Sequence, residues 1–173
     1  MTGLTRRGPP GPRPFPPTST KSLGEDTVNK GDLAPDFTAI DQTGATVRLS
    51  DMLADGPVVL FFYPKAFTPG CTKESCHFRD LAVAFAELGA QRVGISADDT
   101  SIQAKFDAVY ELDIPLLSDP DRKIARRYGV KRPGILLNKR QTFVIGTDQR
   151  IVAVIGSEFN MDMHADAALE ALG

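Results

Sequence analysis

The run VVLFFY, Val58 to Tyr63, constrains this chain more than any other stretch. It is continuously apolar and rich in β-forming residues. It is too short for a stable helix and suits a central strand covered on both faces. A strand buried on both sides requires layers of other structure above and below it, so the rest of the chain must supply helices and neighbouring strands.

The surrounding text supplies them. DFTAI and ATVRL flank DQTG and read as a hairpin. Leu49 to Ala54 reads as a short helical turn capped by Ser50. After the central run, Phe78, Leu81, Phe85 and Leu88 recur at helical spacing, with Lys73, Arg79, Asp80 and Glu87 away from the stripe. QRVGIS is the next strand, and Asp98 or Asp99 caps a helix running to Tyr110. IPLLSD is a short strand, and DRKIARRYGV a helix ended by Gly129. TFVIG and RIVAVIG are strands joined by TDQ, and Met163 to Leu172 is a final helix. Alternation early and a hairpin plus helix late predict an α/β domain with a mixed central sheet flanked by helices.

Residues 1–30 stand apart. GPPGPRPFPP is dense in Pro and Gly and has little to bury, so a disordered tail ahead of a domain at 31–173 is expected. Over the whole chain, 42% hydrophobic and 24% charged residues allow a core without disulfides or metal clusters. A net charge of −2 favours neither nucleic acid nor anionic membrane as partner. No apolar run approaches a membrane span, and Pro and Gly follow Arg6 and Arg7 where a signal peptide needs an apolar stretch. A cytoplasmic protein is expected.

The two cysteines, Cys71 and Cys76, lie just behind Thr68-Pro69-Gly70. A residue before Pro is pushed out of the helical region, which is what an N-cap needs, and Pro is favoured at the first helical position. The sequence therefore predicts a helix with Thr68 as N-cap, Pro69 first, and Cys71 in the first turn. Unpaired N–H groups and the positive end of the helix dipole stabilise a thiolate there. Free Cys is also often a small core residue, but the turn formers and the neighbouring Thr72 and Lys73 favour a reactive thiol. In an intact helix Cys76 lies about 140° around the axis, with roughly 8.6 Å between Cα atoms. A disulfide needs Cα atoms within about 7 Å, so the thiols meet only if the helix unwinds. From spacing alone Cys76 is either a resolving thiol or a packed one. The pair shares no face for a metal, and only His77 and His164 could add imidazole ligands.

YPKAFTPGCTKESCHFRD resembles the thiol-bearing segment of the peroxiredoxins, most of all the peroxiredoxin Q class, also called bacterioferritin comigratory protein. The family pattern of Pro, three residues, Thr or Ser, two residues, Cys is filled by Pro64, Thr68 and Cys71, and the resemblance extends from about Asp32 to the C-terminus. It implies a thioredoxin-like fold and reduction of hydrogen peroxide and organic hydroperoxides without a cofactor. Cys71 would be peroxidatic, and Cys76 would resolve it as an intrachain disulfide. Thioredoxin or a similar dithiol would be the reductant, and no second chain would be needed, so a monomer is expected.

The family also carries an arginine just ahead of a late strand, matched by Arg140, where a thioredoxin would have Pro. Thr68 would cap the helix and touch the peroxide, and Pro64 would keep water from the thiolate. Glu74 matches a family glutamate that positions the arginine; a surface charge at the helix N-terminus is the other reading. Tyr63 reads as packing, and His77, Arg126, Arg127, Arg132 and Arg150 as surface residues. DDT and SDPD read as helix caps. The competing function is a redox switch that passes a Cys71–Cys76 disulfide state to a partner without needing Arg140.

Overall fold

Strand β3 (Val58–Phe62) is buried at every position. Its side chains alternate between two cores, as a strand's pleat requires. Val58, Leu60 and Phe62 enter one core, and Val59 and Phe61, followed by Tyr63, enter the other. The apolar run is continuous because neither face meets water.

The structure is a computed structural model and describes residues 27–173. Its elements in chain order are β1 (Thr38–Asp41), β2 (Thr46–Arg48), α1 (Leu49–Leu53), β3, α2 (Pro69–Asp80), α3 (Ala82–Glu87) and β4 (Gln91–Ser96). There follow α4 (Thr100–Tyr110), β5 (Leu116–Ser118), α5 (Lys123–Arg127), β6 (Gln141–Ile145), β7 (Ile151–Gly156) and α6 (Asp162–Leu172). They form one seven-stranded sheet in the order β2-β1-β5-β4-β3-β6-β7. Strand β3 runs parallel to β4 and antiparallel to β6, so the sheet is mixed, as expected. Of the proline-rich tail expected over residues 1–30, residues 1–26 lie outside the described part. Val28 is buried in the first core, and Gly31 donates its N–H to the Ile151 carbonyl at 2.8 Å.

The first core gathers Phe62, Tyr128 and Phe143, whose rings lie 5.1 to 5.8 Å apart, with residues of α1 and α5. On the second face, Phe61 stacks on Phe78 of α2 at 4.2 Å, and Phe78 lies 5.8 Å from Phe85 of α3. Phe106 of α4 and Ala165 and Ala168 of α6 complete that layer. Burying each such aromatic side chain contributes roughly 1.5–3 kcal/mol. This second layer also contains Cys71.

Some local expectations are corrected and others hold. The helix after β3 breaks at Leu81 (φ −92°, ψ 16°) into α2 and α3. The break lets Phe78 and Phe85 both face the sheet, while Leu88, expected on the buried stripe, is exposed. Ser50 lies inside α1 and does not cap it: its N–H donates to Asp36 Oδ1 at 3.0 Å, so the acceptor comes from 14 residues upstream. Asp99 caps α4 by accepting from the Ile102 N–H, whereas Asp98 performs a different task described below. Asp119, within SDPD, accepts from the Ile124 and Ala125 N–H groups at the start of α5. Among the described residues no helix is long and apolar enough to cross a membrane.

Candidate active site

Strand β3 delivers the chain to the carboxyl end of the sheet, and residues 63–68 after it form the turn into α2. The Tyr63 side chain is fully buried, and its hydroxyl donates to Gln103 Oε1, which fits a packing role. Burial pushes that phenol far above its ordinary range. Asp98 anchors the turn: its Oδ2 accepts from the Ala66 N–H at 2.8 Å and from the Ser96 hydroxyl at 2.7 Å. Phe67 follows at φ 64°, in the left-handed region that a bulky residue adopts rarely. Its ring packs edge-on against Phe106 at 5.2 Å, a contact that helps hold this conformation. Pro64 is half-buried at the head of the turn.

Thr68 is the N-cap residue of α2, extended at φ −76° and ψ 149°, and Pro69 occupies the first helical position. Cys71 thus stands in the first turn, as the Thr-Pro sequence predicts. One detail differs. The Thr68 hydroxyl does not cap the helix but donates to the Lys65 carbonyl at 2.7 Å, tightening the turn instead. The backbone supplies the first helical bond, from the Thr72 N–H to the Thr68 carbonyl at 2.9 Å.

Cys71 is fully buried, and its Sγ accepts a hydrogen bond from Arg140 Nη2 at 3.2 Å. Arg140 stands immediately before β6, which pairs with β3, so sheet register brings the guanidinium to the helix N-terminus. Its Nη1 donates to Glu74 Oε2. Glu74 is fully buried, which removes the surface-charge alternative, and Arg140 is 6% exposed. Burial pushes the Glu74 carboxyl up to about 7, against the opposing pull of Arg140. Burial would lower Arg140, but Glu74 and Cys71 beside it hold it above its ordinary value. Gly70 is part of the fit: a Cβ there would lie 3.1 Å from both Arg140 Nη2 and Met161 Cε.

Two further residues extend the network, and the sequence offered little signal for them. His164, in the first turn of α6, is fully buried. Its Nε2 lies 2.8 Å from the Ser157 carbonyl, which can only accept, so Nε2 carries the proton. Nδ1 then accepts from the Thr142 hydroxyl at 2.9 Å and stands 3.7 Å from Glu74 Oε1, an oxygen with no hydrogen-bond partner. Burial holds this imidazole below its ordinary range, hence neutral. Glu158 accepts from the Arg140 backbone N–H at 3.1 Å and from Arg132 at 2.7 Å, so Arg132 is tied to the site's frame rather than simply solvated. Spacing to Cys71 reveals neither residue, because both reach the site from the far end of the chain.

Cys76 lies farther along the same unbroken helix, half-buried against the second core. Both thiols are free. His77 is half-buried and bonds Asp166, so it is less exposed than expected but stays clear of Cys71's polar partners.

The chain matches the AhpC/TSA family over residues 30–154. It is 59% identical over 149 residues to a Mycobacterium tuberculosis protein named as a peroxiredoxin, covering 84% of this chain and 96% of the other. It is 41% identical to the chloroplastic peroxiredoxin Q of Arabidopsis thaliana, covering 92% and 74% respectively. Among solved structures, peroxidoxin BcpB of M. tuberculosis superposes with a TM-score of 0.81 at 57% identity, covering 84% and 96%. A Xanthomonas campestris bacterioferritin comigratory protein, solved in complexes bearing on its alkyl peroxide reduction, superposes at 0.73 with 30% identity, covering 79% and 89%.

Proposed function

The chain belongs to the AhpC/TSA peroxiredoxin family, with the thioredoxin-like fold of that family and the two cysteines of the peroxiredoxin Q type, and on that premise we propose a mechanism in which Cys71 is peroxidatic and Cys76 resolving. The observation that carries this reading is the 3.2 Å contact from Arg140 to a Cys71 buried in the first turn of a helix. As thiolate, Cys71 Sγ attacks one oxygen of a hydroperoxide. The O–O bond breaks, the sulfur becomes a sulfenic acid, and the departing oxygen leaves as water or an alcohol after taking a proton. Arg140 donates to the sulfur and to the oxygen that gains negative charge, which lowers the barrier because the donor is fixed beforehand. Glu74 holds the other end of the guanidinium. The Thr68 hydroxyl and Pro64 shape the mouth through which peroxide enters.

Residues 71–76 then unwind, and Cys76 attacks the sulfenic sulfur to give an intrachain disulfide and water. Thioredoxin or a similar dithiol restores both thiols, which fits a reducing cytoplasmic compartment. No cofactor takes part, and a single chain completes the cycle. Organic hydroperoxides belong with hydrogen peroxide as substrates, by analogy with the X. campestris protein. The buried Arg140–Glu74 pair favours an enzyme over a stoichiometric switch, because a switch has no need of a fixed donor at the sulfur.

Mass spectrometry after one equivalent of hydrogen peroxide is the direct test. A Cys71–Cys76 linked peptide is expected. Cys71→Ser should reduce peroxide turnover with thioredoxin to background, and Cys76→Ser should form the sulfenic acid once and then stall. Full turnover by Cys71→Ser refutes the assignment, and unimpaired turnover by Cys76→Ser removes Cys76 from it.

A further inference from the structure

Helix α2 is held from two sides. From the sheet, Arg140 grips Glu74. From α6, Asp162 Oδ2 pairs with Lys73 Nζ at 3.3 Å, and Asp166 Oδ1 with His77 Nε2 at 2.8 Å. Lys73 and His77 are four residues apart, as are Asp162 and Asp166. Residues at that spacing share one helix face, so the two helices meet one turn against one turn. The His77 bond is an N–H donated to a carboxylate, which exists with or without a charge on the ring.

We propose that Asp162 and Asp166 are positioning residues for the resolving step: by holding Lys73 and His77 they keep residues 71–76 helical, and so set how long the Cys71 sulfenic acid lasts before Cys76 reaches it. The inference rests on the mechanism above. Lys73 lies inside the segment that must unwind, so unwinding pulls it from Asp162, and His77 directly beyond it anchors the end from which the segment must come away. In the step that follows, the S–O bond of Cys71 breaks and an S–S bond to Cys76 forms. The Cys76 proton leaves with the hydroxide as water. The competing step is attack by a second hydroperoxide on the sulfenic acid, giving the sulfinic acid. A clasp that delays unwinding shifts the outcome toward the second step. Exposed ion pairs are individually weak, so the clasp tunes a rate without deciding the fold.

The test is the double variant Asp162→Asn, Asp166→Asn, reduced, mixed with one equivalent of hydrogen peroxide and quenched with an alkylating agent at successive times. The linked peptide should appear roughly fivefold faster than in the wild type, the effect of losing two exposed pairs. Sulfinic acid formed under excess peroxide should fall in parallel. Salt at about 1 M, which screens charges beyond ~3 Å, should speed wild-type resolution and leave the variant nearly unchanged. Asp121→Asn, which removes a comparable exposed pair to Lys123 beside α5, should match the wild type in rate and in salt response. Unchanged resolution and salt response in the double variant overturn the clasp. So does equal acceleration by Asp121→Asn. Absence of any linked peptide in the wild type overturns the underlying mechanism instead, and the clasp with it.

Discussion

The two thiols of α2 occupy contrasting surroundings. Cys71 is fully buried, accepts from Arg140, and sits in a network drawn from the ends of β3, β6 and β7 and from α6. Cys76 is half-buried, packs against apolar side chains, and is held in place by helical backbone and by the exposed pairs to α6. One end of the helix is fixed by buried charge, and the other by helical backbone, apolar packing and exposed pairs. That asymmetry suits the proposed mechanism, whose first step needs preorganised charge and whose second needs movement. The fixed end resists displacement because moving it would leave buried charges uncompensated. The other end opens at the modest cost of a helical turn and weak pairs.

The sharpest way to break the contrast is at Arg140. Arg140→Lys keeps the charge but loses the fork that bridges Cys71 and Glu74. The rate of Cys71 oxidation, followed by stopped flow, should fall about a hundredfold, the usual cost of losing one preorganised donor. A change below threefold would mean that Cys71 does not depend on this contact.

Glu74→Gln tests the electrostatic cost of the fixed end. The Glu74 carboxyl titrates at about 7 in the fold, against an ordinary value of 4.5. The folded state therefore holds this proton more tightly than the unfolded chain. Its stabilising effect is complete below pH 4.5 and is lost as pH rises through 7. Urea unfolding of the reduced protein should show the wild type losing up to about 3 kcal/mol relative to Glu74→Gln between pH 4.5 and 8. Parallel stability profiles would rule out this titration.

Gly70→Ala should have the smallest effect. The added methyl meets Arg140 Nη2 and Met161 Cε at 3.1 Å, closer than side chains normally approach. Met161 can yield, whereas Arg140 is held by Glu74, so a severalfold loss of oxidation rate with little change in melting temperature is expected. The same substitution should leave resolution by Cys76 unaffected, because the methyl touches only the fixed end.

Legibility in the sequence follows the same division. The hairpin, the strand at Val58, a helix capped at Asp98 or Asp99 and the final helix all follow from local pattern, and the structure has each of them, with Asp99 as the cap. The Ser50 cap failed because its acceptor, Asp36, comes from outside the local window. The single long helix failed at Leu81 because curvature around the sheet is set by Phe61, Phe78 and Phe85 together, not by periodicity. Arg140 and Glu74 could be named from the family resemblance, but His164 and Glu158 could not be reached from any motif.

The sequence by itself determined where α2 begins and that Cys71 stands in its first turn. The physical reason is short-range: Pro69 restricts Thr68 to an extended conformation and has a backbone already shaped for the first helical position. Only the tertiary structure decided what the thiol would meet there. Arg140 lies 69 residues from Cys71 and 66 from Glu74, and neither contact is encoded in any local preference. It arises because β6 pairs with β3 and α6 packs beneath them, bringing a guanidinium, a carboxylate and an imidazole into one buried space.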